Sequence, residues 1–414
     1  MQDTSPDGTV PRLDRRDERL RSTPGLRGLA AVTKARFRAG ELGWLTVVLG
    51  LGIIWTVFEC VSPTFLSSLN LANLLQQSAG VGMVALGVVL VLLVGQIDLS
   101  VGSTAGMAAA VLAVALVRGG WPTPVAVVAT IGCGALVGLC YGLFFVRFGV
   151  PSFVISLAGL LGVLGLQLWV LGPVGSLNLP RDSSLFAISQ GFLPPSVSYL
   201  LVAAGTLALI AGRLSVRRRR LQAGLSAGSS LSSVMGGLAA GIAASGAVHY
   251  IDQSRGVSVL FVVFVGFVVA VDLALRHTAW GLAVFAIGGN AQAAERAGIK
   301  VRRVYVGVFT LCSSFAALGG VMLAARLGAA AQSTGGGDTN LNAIAAAVIG
   351  GTSLFGGRGS AYSALLGILV IWSISSGLNL IQVEASVRFM ITGAVLLLAV
   401  TVDSLARREG ALRR

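Results

Sequence analysis

The chain has 414 residues, 55% of them apolar and only 11% charged, with a net charge of +14. A soluble domain carries about 25% charged residues, so this composition excludes an ordinary soluble globular protein. The basic residues lie in short hydrophilic stretches rather than among aromatics on a polar domain, which excludes nucleic acid as the partner.

Residues 1–41 are polar, hold nine Lys/Arg and precede the first apolar run. They are too long for a secretory n-region and read as a cytoplasmic, disordered basic tail without a cleavable signal. Apolar runs then follow at 42–60, 79–97, 100–117, 124–146, 152–172, 197–212, 229–247, 257–275, 304–325, 342–356, 360–380 and 387–405. Segments of about this length cross a hydrocarbon core as helices. The tenth is short and interrupted by glycine, which suits a re-entrant segment. The expected fold is therefore an all-α, polytopic membrane bundle of ten to twelve transmembrane helices over 42–405, with a basic C-terminus at 406–414. In the fourth run Gly134, Gly138 and Gly142 recur every four residues, a small-residue ridge for close helix packing.

Orientation follows from the basic segments. The tail, the five arginines of Arg213 to Arg220, the 276–303 stretch and the C-terminus all fall on one side of a twelve-span chain. Basic loops stay in the cytoplasm, so both termini are expected inside. The same alternation puts 61–78, 173–196, 248–256 and 326–341 outside. The four cysteines, Cys60, Cys133, Cys140 and Cys312, lie in apolar surroundings without a CxxC pair and read as small hydrophobes.

A phosphate-binding loop needs Gly-Lys followed by Ser or Thr. Neither lysine, Lys34 or Lys300, follows a glycine, so ATP hydrolysis by this chain is not expected. "GLSAG" (Gly224 to Gly228) matches the GxSxG pattern, with Asp252 and His277 following in order. That motif requires a strand before its serine, and here four arginines precede it. The expected topology also separates Asp252 from His277 across the membrane. The only histidines are His249 and His277, and no metal site is expected.

Three motifs carry information. "GQIDLSVGS" (Gly95 to Ser103) puts Asp98 inside an apolar region, where a carboxylate is costly. Gly95 and Gly102 relax the backbone, and Ser100 and Ser103 can satisfy freed carbonyls. Asp98 either fixes a hydrated break on the translocation path or caps the following helix through its free amides, and both roles can coexist. In "AIGGNAQAAERAGIKVRRVY" (Ala286 to Tyr305), Asn290 can cap a short helix and Gly298 can end it, with Glu295 and Arg296 on its polar faces. This builds a short helix along the cytoplasmic face, offered to a partner or lying as an interfacial helix. "NAIAAAVIGGTSLFGGRGSAYSALLG" (Asn342 to Gly367) weakly echoes the first motif, through "LSVGS" and "LFGGRGS".

Together these motifs resemble those of the membrane permease subunits of bacterial monosaccharide ABC importers, the ribose and xylose type. The G-G-I-D-L-S-V-G-S signature is matched at Gly95 to Ser103, except that Gln96 replaces the second glycine. The G-x-N-x-x-A-A-x-x-A/S-G-I segment is matched by Gly288, Asn290, Ala293, Ala294, Ala297, Gly298 and Ile299. The A-V-I-G-G-T-S-L-F-G-G-R-G-S segment is matched throughout Ala347 to Ser360, and "VPSF" at Val150 to Phe153 also fits. The resemblance covers about 80–405, and 176–250 looks like the two-helix insertion of the longer, xylose-like members.

The resemblance implies a permease homodimer in the bacterial inner membrane, surrounded by lipid, that forms the path for a xylose- or ribose-like sugar. An extracytoplasmic sugar-binding protein delivers the solute. A cytoplasmic ATP-binding cassette partner carries ATP and Mg, and this chain binds no cofactor. Gln96, Asp98, Ser100, Ser103, Thr352 and Ser353 are then candidates for the path or its helix breaks. Gly289, Asn290, Ala293, Ala294, Glu295, Ala297 and Gly298, in the 276–303 loop, become the element that contacts the ATPase, the small residues letting it sit deep in the partner's groove. A different reading makes Asp98 the cation site of an ion-coupled secondary transporter. A membrane enzyme would need His, Asp or Glu converging at one face, and no such cluster is visible.

Overall fold

A computed structural model describes residues 43–225, 229–395, 397 and 401. The expected tails at 1–41 and 406–414, and Ser226 of the GxSxG match, lie outside the described residues. The chain forms two compact units. The larger takes in Trp44–Phe192 and Val257–Arg414, and the described part of the smaller is chiefly Leu193–Gly256.

In chain order the larger unit holds α1 (Gly43–Val61), α2 (Ser68–Leu93), α3 (Val101–Val117), α4 (Thr123–Phe148), α5 (Ser152–Leu171), β1 (Ser176–Asn178) and α6 (Ser184–Gln190). The smaller unit inserts α7 (Pro195–Gln222) and α8 (Ser230–Asp252). The larger resumes with α9 (Val259–His277), α10 (Ala279–Gly289), α11 (Ala291–Arg296), α12 (Val301–Leu327), β2 (Ala329–Ala331), α13 (Gly337–Ile349), α14 (Tyr362–Leu380) and α15 (Ala385–Val395). Among the described residues, eight helices are long and apolar enough to cross a membrane, and α1, α3, α10 and α15 are shorter apolar helices. Each of the twelve expected runs overlaps a helix, the tenth only to Ile349 and the last followed among the described residues to Val395.

The centre is α2, buried almost all round from Leu71 to Leu93 and packed on α9, α12, α13 and α14. A helix apolar on every face belongs in such a position. It starts at Ser68, eleven residues before the expected run at 79. Hydropathy misses this first part because Asn70, Asn73, Gln76 and Gln77 are polar. Their cost is offset by hydrogen bonds: Gln76 Nε2 donates to the Ser189 carbonyl at 2.9 Å, and Asn70 Oδ1 accepts from Ser376 Oγ at 2.9 Å.

The glycine ridge of α4 packs on α12. A Cβ on Gly138 would run into the Phe309 carbonyl and stand 2.8 Å from Thr310 Cα, while Gly134 and Gly142 meet Ser313 and Val306 in the same way. Two strands were not anticipated. Gly175 (φ +70°) and Gly328 (φ +68°) turn the chain after α5 and α12, so β1 and β2 pair antiparallel with Ser176 opposite Ala331. The pairing satisfies backbone groups that two bare loops would leave open. It also joins 173–196 to 326–341, segments expected on one side of the membrane.

In the smaller unit α7 and α8 form an antiparallel pair. Gly237 and Gly241 admit Ile210 and Thr206, and Tyr199 Oη meets His249 Nδ1 at 3.2 Å. Helix α7 continues to Gln222, through the arginine run, ten residues beyond the apolar run's end. Arginine is a good helix former, and hydropathy marks the end of the apolar stretch rather than of the helix. The strand and helix before Leu193, expected within a 176–250 insertion, belong to the larger unit.

Replacing Gly138 with valine should destabilise the protein by about 1–3 kcal/mol or more, because the facing atoms are backbone. Gly132 faces open space, so Gly132→Val should leave the melting temperature in detergent unchanged. Equal melting of both variants would refute the packed ridge.

Candidate functional site

Helix α2 ends in a Schellman arrangement. Gly95 has φ +73°, its amide donates to Leu92 O at 2.9 Å, and the Gln96 amide donates to Val91 O at 3.1 Å. The chain is then non-helical until α3 begins at Val101. The break expected in "GQIDLSVGS" is real, but it runs only to Ser100. Gly102 and Ser103 lie inside α3, and both are buried. Gly102 serves packing instead: a Cβ there would stand 2.8 Å from Gly335 O and 2.9 Å from Asn340 Cβ.

Asp98 is 1% exposed. Its Oδ1 accepts from the Ser100 amide at 2.8 Å and from Ser100 Oγ at 2.7 Å, while Cys312 Sγ lies 3.9 Å from Oδ2. Ser100 is the N-cap residue of α3 and makes no side-chain cap bond. The capping expectation is thus modified. Asp98 sits two residues ahead of Ser100 and holds this N-cap of α3 in an Asx-type turn, with a carboxylate near the positive helix end. Ser100 gives its hydroxyl to Asp98 rather than to a freed carbonyl.

The third motif forms the turn between α13 and α14. Helix α13 stops at Ile349, short of the expected 356, because Gly351, Gly356, Gly357 and Gly359 all take positive φ. The Ser353 amide donates to Arg358 O at 2.9 Å, and Ser353 Oγ accepts from the Phe355 amide at 3.2 Å. Thr352 is 1% exposed, and its hydroxyl has no hydrogen-bond partner.

The second motif folds as expected around its cap. Asn290 Oδ1 accepts from the Ala293 amide at 3.0 Å, and Gly298 (φ +86°) stops α11, with its amide on Glu295 O at 2.9 Å. Gly289, Ala293, Glu295, Ala297 and Gly298 are exposed. Ala294 is the exception: it is 5% exposed and belongs to the hydrophobic core, so it anchors α11 rather than facing a partner. Helix α10, which was not expected, leads into this element. Thr278 starts it by accepting from the Gly281 amide at 3.1 Å.

These three motifs meet. The Leu93 carbonyl, freed at the end of α2, accepts from the Gly357 amide at 2.9 Å. A Cβ on Gly95 would lie 3.3 Å from Phe355 O. A Cβ on Gly288 would collide with both Leu93 O and the Gly357 amide. The end of α2, the 350–361 turn and the entrance to α11 therefore form one backbone junction. The weak echo between the first and third motifs is realised as contact. Gln96, next to it, is half-buried.

Sequence reasoning missed Gln167. It is 1% exposed, and its Nε2 faces the carbonyls of Ala331, Gln332 and Thr334 at 3.1, 3.3 and 3.0 Å. The available signal was a lone amide in the otherwise apolar helix α5. Among the described residues, no group of three His, Cys, Asp or Glu comes together to hold a metal.

The chain's residues 70–400 match a family model described as branched-chain amino acid transport system, permease component. It belongs to this permease family. It is 34% identical over 363 residues to the xylose transport system permease protein of Escherichia coli (strain K12), covering 88% of this chain and 91% of that protein. It is 31% identical to the ribose import permease protein of Bacillus subtilis (strain 168), over 88% of this chain and 94% of the relative. The xylose transport system permease protein of Haemophilus influenzae is 31% identical, over 88% and 96%. No solved structure matches. The family resemblance read from the three motifs is borne out. The permease is a multi-pass protein of the cell membrane and a transport subunit rather than an enzyme.

Asp98→Asn keeps an acceptor for Ser100 and should retain near-normal yield and melting temperature. Asp98→Leu leaves the Ser100 amide and hydroxyl buried without an acceptor, at about 1–3 kcal/mol each, and should melt lower or fail to accumulate. If the Asn variant behaves like the Leu variant, the charge and not the hydrogen bonds holds α3.

Proposed function

We propose that this permease is the membrane subunit of an ATP-driven ABC importer and carries a monosaccharide of the xylose or ribose kind. Its relatives are named for xylose and ribose transport, and they are matched over most of their length. Two copies enclose the path, an extracytoplasmic sugar-binding protein loads it, and a cytoplasmic ATPase with ATP and Mg drives it. Both termini lie in the cytoplasm, and lipid surrounds the bundle.

The observation that supports this mechanism best is the three-motif junction. Helix α11 is capped at one end and stopped at the other, so it is a short rigid element. It connects to the end of α2 through Gly288, with no side chain between the backbones. A displacement of α11 by a closing ATPase dimer is thereby transmitted to Leu93 and to the 350–361 turn. From there it reaches the break at 94–100, where Gln96, Asp98 and Ser100 lead into α3 and Ser103. Thr352 and Ser353 move with the turn. The path residues need only weak polar contacts with a sugar, because the binding protein supplies the selectivity.

The ion-coupled alternative gives Asp98 a cation to bind. Both polar contacts to its Oδ1 come from Ser100, which fits a structural carboxylate better than a site open to an ion. Uptake that stops with vanadate and survives an ionophore supports the ABC reading, and the reverse result overturns it.

The exposed face of α11 supplies the coupling test. Ala297→Trp should uncouple uptake and reduce ATPase co-purification while leaving the melting temperature intact. Ala294→Trp should instead unfold the membrane unit. Normal uptake and full ATPase association with Ala297→Trp would remove α11 from coupling.

For orientation, single cysteines at Arg218 or Gln292 should label only from the cytoplasm, and those at Asn178 or Asp252 only from outside. Reversed labelling at both pairs would invert the topology.

A further inference from the structure

Beside the β1–β2 pair lies a cavity of about 410 Å³ that the transport mechanism does not use. It is lined by Asn178, Arg181, Phe186, Gln190, Arg326 and Leu327, with Leu179 and Gly328 completing the wall. Two guanidinium groups and two amides face it, and no acidic side chain does. Arg326 closes helix α12, and its Nε is buried without any hydrogen-bond partner. The Gln190 amide is partly engaged, donating to Arg326 O at 3.0 Å, which locks the backbone beside the guanidinium. The Leu179 amide on Gly328 O at 2.8 Å ties the two segments that line it.

A guanidinium withdrawn from water without an acceptor is costly, whereas one that meets an oxyanion is strongly stabilised. Favourable interaction of Arg326 with the carbonyl end of α12 explains a basic residue in the last turn. It does not explain a second arginine lining the same cavity, nor a shielded Nε without a partner. The rim adds a further constraint. Leu327 is 58% exposed, and the Phe186 ring forms an apolar wall beside the guanidinium. The site therefore offers a cationic fork next to an apolar edge, at the end of a membrane-length helix. That is the arrangement of a phospholipid at the interface, whose phosphate is charged and whose glycerol and chains are not.

We propose that this cavity binds the phosphate of an anionic phospholipid headgroup, held by Arg326 and Arg181, with Asn178 and Gln190 toward its polar oxygens and Leu327 and Phe186 against its glycerol. The lipid would brace the β1–β2 pair against α6 and α12. Arg326→Lys would not substitute well, because a guanidinium can hold two phosphate oxygens at once and an ammonium cannot.

The test uses the full purified chain in detergent and follows its melting temperature during titration with short-chain phosphatidylglycerol, short-chain phosphatidylcholine or glycerol 3-phosphate. Phosphatidylglycerol should raise the melting temperature saturably. Arg326→Gln and Arg181→Gln should each weaken its apparent affinity about tenfold or more, as loss of a charge-assisted hydrogen bond implies. Arg181 is exposed, so its variant keeps the test open if Arg326→Gln does not fold. A matching shift with glycerol 3-phosphate would keep the phosphate site and move its source from lipid to a soluble ester. Equal shifts in wild type and both variants, or none with any phosphate, would overturn the proposal. So would protection of a cysteine at Asn178 only by the extracytoplasmic binding protein, which would give the cavity to a protein carboxylate.

Discussion

A helix that ends inside a membrane protein leaves carbonyls that water cannot reach, and each must find a donor. In this permease the end of α2 imposes that constraint. Two of its carbonyls are taken by its own Schellman turn, and that of Leu93 by the Gly357 amide. The bond requires the 350–361 turn to lie against α2, which four glycines at positive φ permit. It also leaves no room for a side chain at Gly288. One glycine from each of the three motifs, Gly95, Gly288 and Gly357, thus sits at this one junction.

The junction has mechanical consequences. Backbone contacts without intervening side chains leave little slack, so the entrance to α11 and the 350–361 turn are tied to the end of α2. The break beyond Gly95 is where that rigidity stops. Between Gln96 and Ser100 the backbone makes few bonds of its own, and Asp98 restores order by fixing the N-cap of α3. On the proposed mechanism, a rigid lever next to a locally ordered break is what passes motion from the ATPase face to the path. Gln167 plays the corresponding part for the 331–334 segment, holding three carbonyls with one amide group.

The glycines divide into two kinds that composition cannot separate. Gly134, Gly138 and Gly142 bring α4 against the backbone of α12, and Gly237 and Gly241 of α8 make room for the Ile210 and Thr206 side chains of α7. Gly95, Gly298, Gly328 and Gly357 instead turn the chain with positive φ. Gly102 looked like the second kind and is the first, because α3 begins one residue earlier and Gly335 packs on it.

The sequence alone determined the class of protein, a bundle of ten to twelve apolar segments and the family, since hydropathy and short glycine-rich motifs are local properties. It also determined the capped and stopped helix α11, because Asn290 and Gly298 act on backbone groups within a few residues. Where helices begin and end was less legible. The polar start of α2 and the arginine-rich end of α7 are helical only because distant partners or intrinsic propensity override hydropathy. Only the tertiary structure decided which alanines of α11 face outward, since burial of Ala294 depends on packing between segments far apart in sequence. It alone paired β1 with β2, set Arg181 and Arg326 around one cavity, and joined Leu93, Gly288 and Gly357. Those contacts connect residues roughly 70 to 260 positions apart along the chain, and no local pattern encodes which freed carbonyl will meet which amide.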